Sequence, residues 1–423
     1  MKFPNYSYAL LVLAITIFSF SKSLGQTSVK DLEEFHMRGG LPNFFKKTRS
    51  GKEITIAYLG GSITEAQRGW RDLTYNWLQG RYPQTKFKQI DAAIGGTGSN
   101  LGAFRLDRDV LAHKPDLVFV EFAVNDGNGP AEAIHNSMEG IVRKIWKQNP
   151  ETDICFVYTI AENVVKDLQG GQYQSSARAM EQIADFYQIP SIHMGVEVVR
   201  LLDDGKLIFT GNPAEHPDKI VFTKDKTHPL SESGHPIYAE VVERNFVKMQ
   251  NNTTGKVHRL KAPFTASNWE NAKMIPLASL VRNDKWEELS ADHDLIKRFS
   301  KSMSILTKAS APGASFTVKF RGKVLGVYDV IGPESGIVDV VIDGKPAIEM
   351  IRFDGWCNNY RRNAFFLKDL ADGEHEVTFT VTGKAFDKAA ILAKRNIPFD
   401  NPEQYTVNGW LVNNVMLVGE LVR

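Results

Sequence analysis

A hydroxyl, an imidazole and a carboxylate suffice for acyl transfer if a fold brings them together, and this chain carries them in a suggestive order. The apolar run Ile54–Leu59 stops at Gly60-Gly61 and then presents Ser62. A serine hydroxyl is a weak nucleophile at neutral pH and needs a base within hydrogen-bond reach. Asp225-Lys226-Thr227-His228 offers one: an aspartate and a histidine three residues apart on a loop can meet locally. The carboxylate would fix the imidazole tautomer and stabilise the imidazolium. A tetrahedral intermediate also needs hydrogen-bond donors around its oxyanion. The Ser62 N–H, the Gly96 N–H in Gly95-Gly96-Thr97-Gly98-Ser99 and the side-chain amide of Asn125 can supply three. Glycine suits position 96 because it lets the backbone approach a substrate closely.

Each feature alone has a plainer explanation. Gly-Gly-Ser often makes a turn, and Asn-Asp often caps a helix. The set in this order outweighs those explanations if one fold edge gathers it. Strands are predicted at 54–59, 88–94, 117–123, 154–160 and 190–194. Amphipathic segments fall between them at 71–79, 101–113, 131–148 and 175–187, with a last helix at 233–249. Strands alternating with helices predict a parallel sheet covered on both faces, with ligands at the carboxyl ends of its strands. Ser62, Gly96, Asn125, the pair Glu162-Asn163 and the Asp225–His228 loop all follow strands.

With these blocks in order, residues 54–247 resemble the SGNH (GDSL-type) hydrolases. The resemblance implies a flavodoxin-like three-layer α/β/α sandwich. It implies Ser62 as nucleophile, His228 and Asp225 as its base and orienting acid, and Ser62, Gly96 and Asn125 as the oxyanion hole. It implies no cofactor. The name-giving Gly-Asp-Ser-Leu reads Gly60-Gly61-Ser62-Ile63 here, and Ala123 stands where the third block usually has glycine.

After the polar run 251–255 the texture changes. Short β-branched strands at 316–320, 336–342, 347–353, 374–382 and 411–421, with turns at Asp343-Gly344 and Asp372-Gly373, predict an all-β, jelly-roll-like sandwich. Residues 26–250 would form the catalytic domain and 251–423 an accessory domain suited to carbohydrate. The loop from Arg352 to Arg362 concentrates aromatic and planar polar groups, and Trp356, Tyr360 and Arg361 are candidate sugar contacts. Trp410 reads as core. In the first domain Glu65, Arg68, Asp126, Glu162 and Asn163 are candidate substrate contacts.

Composition is that of an ordinary globular chain, with 43% hydrophobic and 24% charged residues. A net charge of +2 gives no argument for nucleic acid as partner. Residues 1–25 have a basic start, an apolar stretch from Tyr8 to Phe20 and small residues before Gln26, the pattern of a secretory signal peptide. The expected product is therefore secreted or periplasmic and free of the membrane once cleaved. Cys155 and Cys357 read as two separate core thiols, with a disulfide as the alternative. A metal site at histidines 216, 228 and 235 near Asp218 and Asp225 is the lesser reading, because Pro217, Pro229 and Pro236 suggest separate turns rather than one ligand-bearing helix. These readings predict a secreted serine esterase acting on an acylated, most simply acetylated, polysaccharide or oligosaccharide. A lipid or thioester acyl hydrolase on the same residues, a glycosidase built on a carboxylate pair, and a non-catalytic glycan binder are the alternatives.

Overall fold

The computed structural model describes residues 27–367 and 370–422. Residues 1–25, predicted as a signal peptide, lie outside them. Among the described residues no helix is long and apolar enough to cross a membrane.

The first domain is built on strands β1 (Phe35–His36), β2 (Ile54–Gly60), β3 (Phe87–Asp91), β4 (Leu117–Glu121), β5 (Asp153–Tyr158) and β6 (Ser191–His193). Their order is β1-β6-β5-β4-β2-β3. β2 to β6 run parallel, while β1 pairs antiparallel at the edge. The five parallel strands thus follow the flavodoxin-like 2-1-3-4-5 order. Strand residues alternate between two cores. Val118 and Val120 pack with α4 (Ser99–Asp109), α6 (Ala131–Gln148) and α8 (Ser175–Tyr187). Leu117 and Phe119 pack with α1 (Pro42–Arg49), α3 (Trp70–Arg81), α9 (Met194–Asp203) and α10 (Gly234–Met249). β4 and β5 are buried at every position, which is why they read as unbroken apolar runs. A short parallel pair, β7 (Leu207–Thr210) and β8 (Ile220–Thr223), stands outside this sheet and leads into Asp225.

Residues 256–270 still lie on the first domain. His258 Nε2 is 2.8 Å from buried Asp153 Oδ1, and Trp269 packs against Phe104. The polar run 251–255 therefore does not end contact with the α/β layers, and the second sheet begins only with β9 (Ala272–Pro276). It continues through β10 (Val281–Arg282), β11 (Glu287–Glu288), β12 (Thr307–Ala309), β13 (Ser315–Ile331), β14 (Ile337–Ile342), β15 (Ile348–Ile351), β16 (Arg361–Phe366), β17 (Gly373–Val381) and β18 (Trp410–Leu421). All its pairings are antiparallel.

β13 organises this domain. Its first half pairs with β17 and its second half with β16, and residues from both halves meet in one core around Phe316, Phe379 and Trp410. Predicted as a strand ending at Phe320, β13 runs on through Gly322. That glycine faces Gly419 of β18 at a register shift, where a Cβ would fall 2.3 Å from the Val418 carbonyl. Trp410 is core, and its indole N–H donates to buried Asp329 at 2.8 Å. Arg352 neutralises that carboxylate through three contacts of 2.8–3.0 Å. Cys155 and Cys357 are free and buried.

The two domains share packing. Tyr328, Val330, Leu411 and Met416 belong to the same apolar cluster as Leu59 and Val120. Phe366 of β16 stacks on Phe104 of α4 at 5.5 Å.

Candidate active site

In a sheet of this order the ligand crevice lies where the strand order reverses, between β2 and β4. Gly60 and Glu121 are register partners at that point. The chain leaves β2 through Gly61 and opens a single helical turn, α2 (Ser62–Glu65), with Ser62 as its first residue. That position leaves the Ser62 N–H without an intrahelical partner.

Ser62 Oγ lies 2.8 Å from His228 Nε2, and His228 Nδ1 lies 2.7 Å from Asp225 Oδ2. The two residues also meet through the backbone, His228 N–H donating to Asp225 Oδ1 at 2.8 Å. Burial pushes the Asp225 carboxyl up. The N–H and imidazole of His228, the N–H of Thr227 and the hydroxyl of Thr223 push it down and prevail, holding it well below the usual carboxylate range. Asp225 is thus a charged acceptor able to orient the ring and stabilise an imidazolium. Both side chains are about half exposed, so this relay lies open at the surface.

Gly96 has φ 74°, in the left-handed region, and no atom lies within 4 Å of its would-be Cβ. The backbone conformation, rather than crowding by the protein, favours glycine there. Asn125 lies in a short turn, α5 (Ala123–Asp126), after β4. A Cβ on Gly61 would fall 2.0 Å from Asn125 Oδ1. The departure from Gly-Asp-Ser is therefore steric: in this chain the asparagine occupies the space an aspartate side chain would enter.

Beneath the turn sits Glu121. It accepts hydrogen bonds from Thr64 Oγ1 at 2.9 Å, Thr159 Oγ1 at 2.6 Å and the Gly61 N–H. Burial raises its pKa against those bonds. A charged residue closing an otherwise apolar strand was its only sequence signal.

The other first-domain candidates divide. Glu65 accepts the Gly95 N–H at 2.7 Å and contacts Lys301 Nζ at 3.1 Å, so both its oxygens are engaged by protein. Asp126 is half-buried and accepts the Ser99 N–H at 2.8 Å, capping α4 from within the cleft. Burial holds its pKa up at about 6. Glu162 is fixed by Thr210 Oγ1 at 2.7 Å and Lys226 Nζ at 3.1 Å. Together with Asn163, Lys166 and Thr227 it lines a groove beside the His228 loop. Arg68 is exposed, 3.8 Å from Glu232. His235 accepts the Trp70 N–H at 3.1 Å and is buried, a packing role.

The second domain meets the site on the side of Gly96. Tyr360 and Arg361 line a cleft there with Gly96 and Thr97. Trp356 does not line it; half exposed, its ring lies under the Arg395 guanidinium at 4.4 Å. Arg362, the last residue of the loop singled out in the sequence, also reaches this region, as do Arg298 and Lys301, which no local pattern in the sequence marked.

Residues 58–232 match the profile of the GDSL-like lipase/acylhydrolase family. No curated protein matches the chain. Among solved structures, a two-domain esterase (CEX) active on acetylated mannans, co-crystallized with mannopentaose, aligns with a TM-score of 0.69 at 20% identity. The alignment covers 93% of this chain and 99% of that one. A second structure of the two-domain esterase active on acetylated mannans aligns with a TM-score of 0.68 at 21% identity over the same shares. The shared fold thus spans both domains.

Proposed function

Because residues 58–232 match the profile of the GDSL-like lipase/acylhydrolase family, we propose that the chain is a serine esterase that removes acyl groups, acetyl above all, from a carbohydrate. The observation that carries this reading is the contact chain from Ser62 through His228 to Asp225. Ser62 Oγ attacks the ester carbonyl while His228 Nε2 takes its proton. The oxyanion rests on the N–H groups of Ser62 and Gly96 and on the Asn125 amide. On collapse, the imidazolium returns the proton to the departing sugar hydroxyl, leaving an acyl-Ser62. His228 then draws a proton from water, whose oxygen attacks the acyl carbon. Collapse releases the carboxylic acid and restores the Ser62 hydroxyl.

The open, polar setting of the relay supports a polymeric, hydrated substrate over a lipid chain, which would require a deep apolar groove. Both domains share their fold with an esterase active on acetylated mannans, which supports a carbohydrate ester. The glycosidase alternative needs two free carboxyl groups flanking a sugar. Glu65, Asp126 and Glu162 are each committed to protein partners. The N-terminal segment 1–25 supports export.

Purified protein and a Ser62→Ala variant, assayed on p-nitrophenyl acetate and a panel of acetylated polysaccharides, test the proposal. Wild type should release acetate, and the variant should lose several orders of magnitude in turnover. Undiminished cleavage by the variant rules Ser62 out as nucleophile.

A further inference from the structure

The cleft beside the oxyanion loop has walls from both domains. Two adjoining hollows of about 550 and 490 Å³ share Gly96, Thr97, Arg361, Arg362 and Asn363. Gly96 and Asn125, the proposed oxyanion donors, open into it. Across from them stands β16 with its consecutive arginines, and Arg298 joins from the helix Asp294–Phe299.

The accessible charge in this cleft is cationic. Arg361 is neutralised by Asp354. Among the described residues neither Arg362 nor Arg298 has a carboxylate within ion-pair distance. Arg362 uses its guanidinium on two neutral acceptors, Ser302 Oγ at 3.2 Å and the Gly95 carbonyl at 3.5 Å. Arg298 lies exposed with its guanidinium 5.4 Å from the Phe299 ring centre. The carboxylate among the cleft-lining residues is Asp126, which is half-buried, with Oδ2 out of solvent and Oδ1 turned to the Ser99 N–H. Burial also favours its uncharged form below about pH 6.

A guanidinium presents a planar fork of donors that matches a carboxylate or sulfate through paired hydrogen bonds. We infer that the carbohydrate bears an anionic group, the carboxylate of a uronic acid or a sulfate ester, bound by Arg362 and Arg298 in the cleft beside the oxyanion loop. This rests on the esterase reading for its place in the reaction, but the binding itself does not require turnover. The ester-bearing sugar sits over Ser62, and the anion belongs to a neighbouring unit that reaches β16.

Titration calorimetry on the Ser62→Ala protein tests this with an unacetylated tetragalacturonide, a sulfated galactan tetrasaccharide and mannotetraose, at low and high salt. At least one anionic oligosaccharide should bind more tightly than mannotetraose and weaken as salt rises. Which of the two binds identifies the anion. Arg362→Gln should weaken that binding about tenfold or more, and Arg298→Gln should weaken it less. Equal or tighter binding of mannotetraose overturns the inference, as does indifference of the anionic ligand to both substitutions. Wild-type hydrolysis of p-nitrophenyl acetate separates the two readings. Ser62-dependent cleavage without anion preference removes only the anion site. Anion binding without Ser62-dependent cleavage removes the esterase.

Discussion

Lys301 Nζ of the second domain lies 3.1 Å from Glu65 Oε1, in the turn that begins with Ser62. The other oxygen of Glu65 takes the Gly95 N–H, and Lys301 also reaches Asp91 at 2.7 Å. One carboxylate thus joins the nucleophile turn, the oxyanion loop and the accessory domain. Predicted as a substrate contact, Glu65 is instead spent on holding the site together. Glu65→Ala should free the loop carrying Gly96. A hydrogen bond to a charged group contributes ~1.5–3 kcal/mol, which corresponds to about a ten- to hundredfold loss in kcat on p-nitrophenyl acetate. KM should move less, and Glu65→Gln, which keeps an acceptor for Gly95, should recover part of the loss. A fall in KM affinity with kcat intact would return Glu65 to substrate binding.

Gly61 and Asn125 make a second coupled pair. Restoring the familiar aspartate, Gly61→Asp, places a Cβ 2.0 Å from Asn125 Oδ1 and forces the amide aside. If that amide is an oxyanion donor, kcat should fall ~10²–10³-fold. The Asn125→Ala variant should fall by a similar factor, and the double variant little further, because both lose the same donor. Steady-state kinetics on the three variants checks this. Additive losses would show that Gly61→Asp damages something else.

Much of this site was legible because its chemistry sits at the ends of long buried strands. β2 and β4 are apolar runs followed by polar residues, and Ser62 and Asn125 of the candidate site are among those residues. The pieces that escaped were short or distant. β1 spans two residues and β7 and β8 four each, too few for any periodicity to register. α9 begins immediately after β6, leaving no turn signal between them. In the second domain the predicted strand stops at Phe320, whereas β13 runs on through Gly322, which permits close approach of β18. Lys301 and Arg362 touch Glu65 and the Gly95 carbonyl across more than two hundred residues of sequence. Such contacts exist only because β16 and the loop before β12 dock on the first domain, and nothing local announces them.

Asp225 carries a clear pH expectation. Its folded carboxyl titrates well below the usual aspartate value, so it keeps its charge as pH falls into the mildly acidic range. Its depressed pKa also adds stability above the unfolded aspartate value, and that share fades only in strong acid, as pH drops through the folded value. The acid limb of kcat/KM should therefore carry no separate contribution from Asp225. Asp225→Asn should cost ~10⁴-fold in kcat, by loss of the tautomer-fixing acceptor. A pH–rate series on both proteins reads this. An acid limb that persists unchanged in a fully active Asp225→Asn variant would remove Asp225 from the relay.

Asp126 acts in the opposite sense. Burial lifts its pKa from 3.8 to about 6, although the Ser99 hydroxyl and N–H pull it down. Its second oxygen, Oδ2, is buried without a hydrogen-bond partner among the described residues. Between these two values the folded chain holds a proton that the unfolded chain has released. Protonation therefore favours the folded state: the contribution is full below the unfolded pKa and is lost as pH rises through about 6. The shift corresponds to at most ~3 kcal/mol. Asp126→Asn keeps an acceptor for the Ser99 N–H and carries no charge to bury. Its melting temperature should exceed wild type by several degrees at about pH 8 and match it at about pH 4. Thermal melts across that range decide the point, and identical pH slopes in the two proteins would mean that Asp126 titrates like an ordinary surface aspartate.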